Sequence, residues 1–446
     1  MKDLTQGKPF KTILLFGLPL LISGIIAQTY NLIDLLIAGR YLGSVGLSAV
    51  GSTSTFISFL SSYFWGFGVA VSTVIGKYFG AKDNERVVKA AKNILFFVSL
   101  TMIVVCALCF LLADPIFRLL NIQSDIYEDA MVYFRIYIFS LFAQAVAYQL
   151  TSILHAIGDS KIPLLATTVS GIANVGLNLL FVGVFDWKVA GLAYATLASS
   201  IAGALISLIA VIRYILKMGY NLKWQFSWDS IQPIITIAIP CVIQQCALYL
   251  SGVAVQPMVN GISKEAVAGY SVAMSINTFI NAAYHSYSRA VASYASQSLG
   301  SKKYNNFNKG VLIGFSQQAM IFLPMMAVCL IFPVPIISLF LKSNSTDCIP
   351  YALNYMWFAL PFVPFCAYGN LMHSFYKAVG AVKSVLVSTT IFTLARIAFT
   401  CLAPPGDNLM TIYLGLSFAW IIETIVLLVI YFSRIWQPSE KKSAKN

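Results

Sequence analysis

Residues 94–113 read ILFFVSLTMIVVCALCFLLA, an uninterrupted apolar run that contains no charged side chain. An α-helix rises about 1.5 Å per residue, so this run would be about 30 Å long as a helix, which matches the hydrocarbon thickness of a bilayer. The strands of a membrane barrel would be about 10 residues long, with alternating polar and apolar side chains. Residues 94–113 therefore predict a membrane-spanning α-helix.

The rest of the chain repeats this pattern. Of its 446 residues, 59% are hydrophobic and only 10% are charged, whereas soluble domains carry about 25% charged residues. The first apolar run, 13–38, is too long for the core of a signal peptide and predicts a retained span. The chain is thus expected to be an all-α polytopic membrane protein with twelve transmembrane helices. The predicted spans are 13–38, 46–72, 90–113, 130–154, 162–185, 189–212, 232–256, 265–295, 310–333, 350–376, 384–403 and 410–433.

The basic residues are distributed unevenly over the segments between these spans. With the N-terminus placed inside, 21 of the 29 Lys and Arg residues fall on the cytoplasmic side, counting Lys92 at the inner end of the span 90–113. Five fall outside, and the remaining three lie deeper within spans. An excess of Lys and Arg marks the cytoplasmic side. This distribution predicts an even number of spans with both termini in the cytoplasm, and we expect the membrane to be a bacterial-type cell membrane. It explains the net charge of +13 better than nucleic-acid binding would.

Four short motifs of the first half recur in the second half, in the same order and at nearly constant spacing. Examples are GLP at 17–19 with AIP at 238–240, and HAIGDSK at 155–161 with KAVGAVK at 377–383. Six spans per half preserve orientation, which predicts a parallel repeat about a pseudo-two-fold axis along the membrane normal. The predicted domains are an N-terminal six-helix lobe (1–216), a cytoplasmic linker (217–230) and a C-terminal six-helix lobe (231–446). Two such lobes suit alternating access around a central site.

Signatures of energy-converting or catalytic chemistry are absent from the sequence. No G-x-x-x-x-G-K-[ST] motif occurs, so transport would be driven by an ion gradient rather than by ATP. The three histidines are scattered, and the pair Cys106 and Cys109 lies in an apolar run without further metal-binding residues. We therefore expect no enzymatic activity, no catalytic residue, no metal and no cofactor.

Only two acidic residues, Asp34 and Glu423, lie well inside predicted spans. A charge at membrane depth costs about 2.5–3.5 kcal/mol on insertion scales, so each is a candidate functional residue. Asn31 and Gln28 precede Asp34 on one side of its helix and form a polar stripe that is expected to face a cavity. There a cationic substrate and a proton or metal ion would compete for the Asp34 carboxylate. The alternative is a structural ion pair between Asp34 and Arg135.

Glu423 favours a structural interpretation. Arg396 in the preceding span lies at a similar predicted depth, which suggests an ion pair between the two residues. The pair is predicted to be structural or to serve as a secondary coupling site. In the fifth span, Asn174 and Asn178 stand four residues apart on one helix face. They could bind a substrate or cation, or could simply bond to a neighbouring helix.

Several stretches together resemble multidrug and toxic compound extrusion (MATE) transporters. They are PLLISGIIAQTYNLID (19–34), AGRYLG (38–43), LSAVG (47–51), GFG (66–68), GAKD (80–83), AIGD (156–159) and the Asn174–Asn178 pair. The resemblance covers both halves of the chain. It implies two six-helix lobes that export amphipathic, often cationic, organic compounds in exchange for protons or sodium ions. It also favours Asp34 as the coupling residue and a cavity position for Asn174 and Asn178.

The sequence departs from the family pattern at three places. One branch has an acid in the seventh span, where this chain has Gln244 and Gln245, and another acid in the tenth span, where residues 350–376 contain none. A second branch has Asp at the position of Asn178. These departures leave open whether H⁺ or Na⁺ is the coupling ion. From the resemblance we expect a monomeric antiporter with a small organic substrate and the lipid bilayer as partners. The alternative is a lipid-linked saccharide flippase of the same superfamily, which would need several basic groups in its cavity.

Overall fold

The computed structural model of the protein describes residues 3–119, 122, 124–223, 225–339, 346–402 and 409–437. Every regular element in these ranges is a helix, which confirms the prediction of an all-helical protein. In the first half the α-helices are α1 (Pro9–Tyr41), α2 (Gly43–Gly80), α3 (Asn84–Leu111), α4 (Ala113–Leu119), α5 (Tyr127–Ala156), α6 (Lys161–Asn178) and α7 (Lys188–Lys217). The residues Leu179–Val184 continue α6 as a π-helix.

The second half repeats the order of long and short helices. Its α-helices are α8 (Trp228–Asn260), α9 (Lys264–Gly300), α10 (Asn306–Ile331), α11 (Pro333–Ser338), α12 (Ile349–Phe358), α13 (Val363–Ala378), α14 (Val382–Leu402) and α15 (Met410–Phe432). The predicted tenth span, 350–376, is broken into α12 and α13 by a 3₁₀ turn at Leu360–Phe362. Pro361 and Pro364 lack the backbone N–H that a continuous helix requires, which explains the break.

Ten helices within the described ranges are long and apolar enough to cross a membrane. Two of the twelve predicted spans are not among these ten. One is α9, which is long enough but carries many Ser and Asn side chains that make it more polar than the others. The other is the broken α12–α13 pair, whose parts are 10 and 16 residues long. Each of the twelve predicted spans nevertheless corresponds to one helix or to this broken pair.

The chain divides into two compact units. Unit 1 consists mainly of residues 22–238, and unit 2 consists of residues 4–21 and the chain from 239 onward. Two helices therefore change unit along their length, α1 after Leu21 and α8 after Ala238. Pro19 and Pro240 stand within two residues of these changes, at matching positions of the sequence repeat. Each proline removes one intrahelical hydrogen bond at the place where its helix passes from one unit to the other.

The sequence repeat is accompanied by a repeat of backbone conformation. Lys82 and Lys302 have positive φ angles of 59° and 57°, and Gly158 and Gly380 have φ angles of 76° and 81°. The Gly158 N–H donates to the His155 carbonyl at 3.1 Å, and the Gly380 N–H donates to the Lys377 carbonyl at 3.0 Å. Equivalent helix ends in the two halves thus terminate in the same left-handed turn.

Close helix packing explains one of the glycine motifs. In unit 1, a Cβ atom on Gly68 of α2 would lie 2.3 Å from the ring of Tyr148 on α5. Only glycine allows the two helices to approach this closely. In unit 2 the core is rich in aromatic hydroxyls. Among the described residues, the tyrosines that rank with the largest fully buried side chains all belong to this core, and they are Tyr284, Tyr287, Tyr294, Tyr355, Tyr376 and Tyr413.

Candidate functional site

The structure brings Asp34, Asn174 and Asn178 together in unit 1. The Asn178 side chain donates a hydrogen bond from Nδ2 to Oδ1 of Asp34. With its amide nitrogen facing Asp34, Asn174 donates to the same oxygen at 2.6 Å and lies 3.2 Å from Oδ2. Asp34 is half-buried on α1, while Asn174 and Asn178 are 2% and 0% exposed on α6. Because the two asparagines are four residues apart, both amides point from one helix face to one carboxylate.

The π-helix begins directly after Asn178. It places a wider turn between the two asparagines and the start of α7, and it ends with the Trp187 N–H donating to the Phe181 carbonyl at 2.9 Å. Short π-helical segments within α-helices occur frequently at functional sites. The apolar residues of this segment are equally compatible with an α-helix, so sequence reasoning alone could not predict it.

Three tyrosines lie in the neighbourhood of the Asp34 carboxylate. Tyr30, Tyr133 and Tyr137 all lie within electrostatic range of it. The rings of Tyr133 and Tyr137 are 5.3 Å apart, and Gln144 donates to the Tyr137 hydroxyl at 3.4 Å. Sequence reasoning missed these residues. The spacing of Tyr133 and Tyr137 on one face of α5 is the pattern that could have identified them.

The alternative prediction, a structural ion pair between Asp34 and Arg135, is wrong. Arg135 lies on the opposite face of α5 from Tyr133 and Tyr137, and its Nη2 atom is 3.4 Å from a carboxylate oxygen of Asp114.

Two other predicted cavity residues occupy α1 itself. Gln28 is half-buried and Asn31 is exposed. Neither forms a hydrogen bond to Asp34 in the described part of the chain, so their role in the cavity stays a prediction.

The structure does not bring Arg396 and Glu423 together as an ion pair. In unit 2, Arg396 on α14 donates to the Ser251 hydroxyl at 3.3 Å and to the Tyr270 hydroxyl at 3.4 Å. The neighbouring residue on α15 is Gly415, whose Cβ position would be 3.8 Å from the Arg396 carbonyl. Glu423 is eight residues further along α15, or about 12 Å along its axis. Arg396 lies 14 residues after the start of α14 at Val382, whereas Glu423 lies only 9 residues before the end of α15 at Phe432. The two side chains therefore differ in depth by about 8 Å, and the predicted pairing is wrong.

The partner of Glu423 is His373 on α13. The Nε2 atom of His373 lies 3.4 Å from Oε1 of Glu423 and 2.8 Å from the Ser388 hydroxyl, and Nδ1 lies 3.4 Å from Nε2 of Gln244. All four side chains are buried. Sequence reasoning identifies His373 only as an isolated histidine. One sequence feature could have drawn attention to His373. It stands one helical turn before Lys377, and Lys377 aligns with His155 in the internal repeat.

The two clusters differ in what they can do. Asp34 sits among neutral amides and phenols without a cationic partner in the described part of unit 1. Each carboxylate oxygen can accept more than one hydrogen bond, so lone pairs remain for a proton or a cation. Glu423 already has a titratable partner in His373. No group of three or more His, Cys, Asp or Glu side chains that could hold a metal ion occurs among the described residues.

Comparisons with known proteins agree on one family. The MatE family model matches residues 19–180 and 240–402, one match in each half of the chain. The probable multidrug resistance protein YoeA of Bacillus subtilis is 26% identical over 362 residues, covering 78% of this chain and 77% of the relative. The probable multidrug resistance protein YpnP of the same organism is 24% identical over 436 residues, covering 98% and 97%.

Solved structures share the fold over almost the whole chain. An outward-facing multidrug resistance MATE family transporter superposes with a TM-score of 0.89 at 21% identity, covering 97% of both chains. The Vibrio cholerae MATE transporter VcmN also superposes with a TM-score of 0.89, at 19% identity, covering 96% of this chain and 97% of that one. At these identities the likeness shows the fold alone.

Proposed function

The chain belongs to the MatE family of multidrug transporters, and from this premise we propose that it is a secondary active antiporter. It exports amphipathic, cationic organic compounds in exchange for protons or sodium ions by alternating access. The observation that carries the proposal is the Asp34 carboxylate, which is held by two buried asparagine amides and has no basic partner in the described part of unit 1. An ionisable residue of this kind within a membrane-spanning helix marks an ion or substrate pathway.

The exchange follows from competition for one carboxylate. A cationic substrate and a proton or sodium ion both favour the same oxygens of Asp34, so binding of one promotes release of the other. The Tyr30, Tyr133 and Tyr137 rings offer π faces to a substrate cation. The amides of Asn174 and Asn178 keep the carboxylate in one orientation while its ligand changes.

The experiment is efflux of ethidium from proteoliposomes under an imposed proton or sodium gradient. The wild type should accelerate efflux under one of the two gradients, and an ionophore that collapses this gradient should abolish the effect. Asp34→Asn should reduce gradient-driven efflux by about 100-fold, because the competing ion no longer has a site. Asp114→Asn is the matched control, since this exposed acid pairs with Arg135. Unchanged efflux by Asp34→Asn would refute the proposal.

A lipid-linked saccharide flippase is the second candidate, and one observation favours it. Arg396 is a buried guanidinium that has no ion-pair partner among the described residues. However, an anionic diphosphate would require several basic groups, and Arg135 is already paired with Asp114. A flippase would give no gradient-dependent ethidium efflux in the same proteoliposomes, so the one experiment separates the two functions.

We further propose a monomer with both termini in the cytoplasm. The distribution of Lys and Arg over the predicted loops supports this orientation. A protease-cleavable tag on the C-terminus should be cleaved in inside-out vesicles and protected in right-side-out vesicles. Light scattering of the purified protein should give the mass of one chain.

A further inference from the structure

Arg396 occupies an unusual environment in unit 2. Its side chain is 7% exposed, and the hydrogen bonds that it donates to Ser251 and Tyr270 are long ones to neutral hydroxyls. Its Nε atom is buried without a hydrogen-bond partner. No carboxylate lies within ion-pair distance of Arg396 in the part of the chain that the structure describes. Burying an ionised group without a counter-charge is costly, so Arg396 is a candidate for binding an anionic group.

Further unpaired hydrogen-bonding groups lie on the same helix face and next to it. Thr393 and Thr389 precede Arg396 by three and seven residues on α14, and both hydroxyls are buried without a partner. The hydroxyl of Tyr413 on α15 is also unpaired, and its ring stacks 6.0 Å from the ring of Tyr270. The cluster therefore has an excess of hydrogen-bond donors, which an anion would satisfy.

The internal repeat shows what this cluster lacks. The alignment that places Gly158 opposite Gly380 also places Asn174 opposite Arg396. In the same way, the alignment of Pro19 with Pro240 places Asp34 opposite a buried apolar residue, and that residue is Val255. In unit 1, donors on α6 meet a carboxylate on α1. In unit 2, the equivalent helices α14 and α8 present donors but no carboxylate.

We propose that unit 2 binds the carboxylate group of an amphipathic organic ligand at Arg396. The planar guanidinium can hold a carboxylate through two parallel N–H···O bonds, and Ser251 and Tyr270 fix its orientation. The Thr393 and Tyr413 hydroxyls supply additional donors to the same group. This inference rests on the proposed transport function, because it adds zwitterionic compounds to the substrate class.

A matched pair of dyes tests the proposal. Rhodamine 110 carries a free carboxylate, and rhodamine 123 is its methyl ester. Binding of each dye to the purified, detergent-solubilised protein is measured by fluorescence polarisation, without any ion gradient. Arg396→Gln should weaken rhodamine 110 binding by about tenfold or more, the loss expected for a charge-assisted hydrogen bond, and rhodamine 123 binding by less than about threefold. Arg396→Lys should weaken rhodamine 110 binding by less than Arg396→Gln does, because lysine keeps the positive charge but cannot donate two parallel hydrogen bonds.

Controls separate this proposal from the transport function and from a structural role. Arg135→Gln removes an arginine that is already paired and should leave the affinities for both dyes unchanged. Thr393→Val should weaken rhodamine 110 binding alone. Equal affinity of wild type and Arg396→Gln for rhodamine 110 would overturn the proposal. The proposal would also be overturned if inorganic phosphate stabilised the wild type while Arg396→Gln changed the affinities for both dyes equally, since the site would then bind a free anion. Asp34-dependent ethidium efflux can fail or succeed independently of these outcomes.

Discussion

Asn174 of unit 1 and Arg396 of unit 2 occupy equivalent positions of the internal repeat and both donate hydrogen bonds, but the groups that accept from them differ in charge. Asn174 contributes an amide to a resident carboxylate, Asp34. Arg396 contributes a guanidinium whose hydrogen bonds to the described residues go only to the hydroxyls of Ser251 and Tyr270. In one unit the acid belongs to the protein; in the other the equivalent position holds Val255.

This difference teaches that the two halves share their backbone but not their chemistry. The left-handed turns at Gly158 and Gly380 have φ angles of 76° and 81°, and both follow a helix that ends with the same hydrogen bonds. A turn is determined by local steric constraints that any duplicated sequence can keep. The charge of a side chain that lines a site is determined instead by the group that it binds. The two halves can therefore carry different charges at aligned positions while the fold stays the same.

Among the changes that test this comparison, the largest expected effect comes from removing a donor to Asp34. Asn178→Ala should reduce gradient-driven ethidium efflux by about 30-fold, since a hydrogen bond to a charged group contributes about 1.5–3 kcal/mol. Efflux from proteoliposomes measures it. Asn370→Ala is the control, because this amide of unit 2 donates to the Cys366 carbonyl at 3.0 Å and meets no acid among the described residues. Equal losses in both variants would show that the Asn178 effect is not specific.

Apolar substitutions at the aligned residues Asn174 and Arg396 should differ in their effect on the free energy of unfolding. Asn174→Leu should lower the free energy of unfolding by about 1–3 kcal/mol, because the half-buried Asp34 carboxylate loses a donor. Arg396→Met should leave it unchanged or raise it by about 1 kcal/mol, because an unpaired buried charge is removed. Thermal unfolding in detergent without ligand measures both. A loss of stability in Arg396→Met as large as in Asn174→Leu would mean that Arg396 has a resident partner.

Double-mutant cycles sharpen the assignment of partners in unit 2. Glu423→Gln and His373→Gln should be coupled by about 1 kcal/mol, because their side chains are in contact. Glu423→Gln and Arg396→Met should be additive within about 0.5 kcal/mol, because no contact joins them in the described structure. Unfolding free energies of the single and double variants provide both values. Strong coupling in the second cycle would restore the ion pair that the sequence suggested.

The smallest expected effect concerns the glycine that brings α15 close to α14. Gly415→Ala should destabilise the protein by about 0.5–1 kcal/mol, because the added methyl group would meet Thr400 Oγ1 at 3.0 Å and Phe399 at 3.1 Å. Gly369→Ala is the control, with no neighbour closer than 3.8 Å, and should be neutral or slightly stabilising. The melting temperatures of the two variants test this difference. A shift of the same size in both would indicate a backbone effect rather than a contact.

The sequence predicted the fold well because each span carries its own signal. The apolar run at 94–113 requires no tertiary information to be identified as a helix, and a buried acid such as Asp34 stands out against apolar neighbours. Contacts between helices depend on rotation about each helix axis, which a single sequence does not encode locally. For that reason the sequence identifies Asn178 as a candidate without joining it to Asp34, and it assigns Arg396 the wrong partner.

The π-helix at Leu179–Val184 has a consequence for insertions and deletions in this chain. Each residue of an α-helix advances the helix by about 100°, so an extra residue would normally rotate everything that follows it. A π-helical turn accommodates an additional residue within one turn. An insertion or deletion in this segment can therefore change the rotation of α7 while Asn174 and Asn178 keep their orientation toward Asp34. Deleting one residue from this segment should convert it to an ordinary helix and turn α7 relative to α6, while the two asparagines keep their acid.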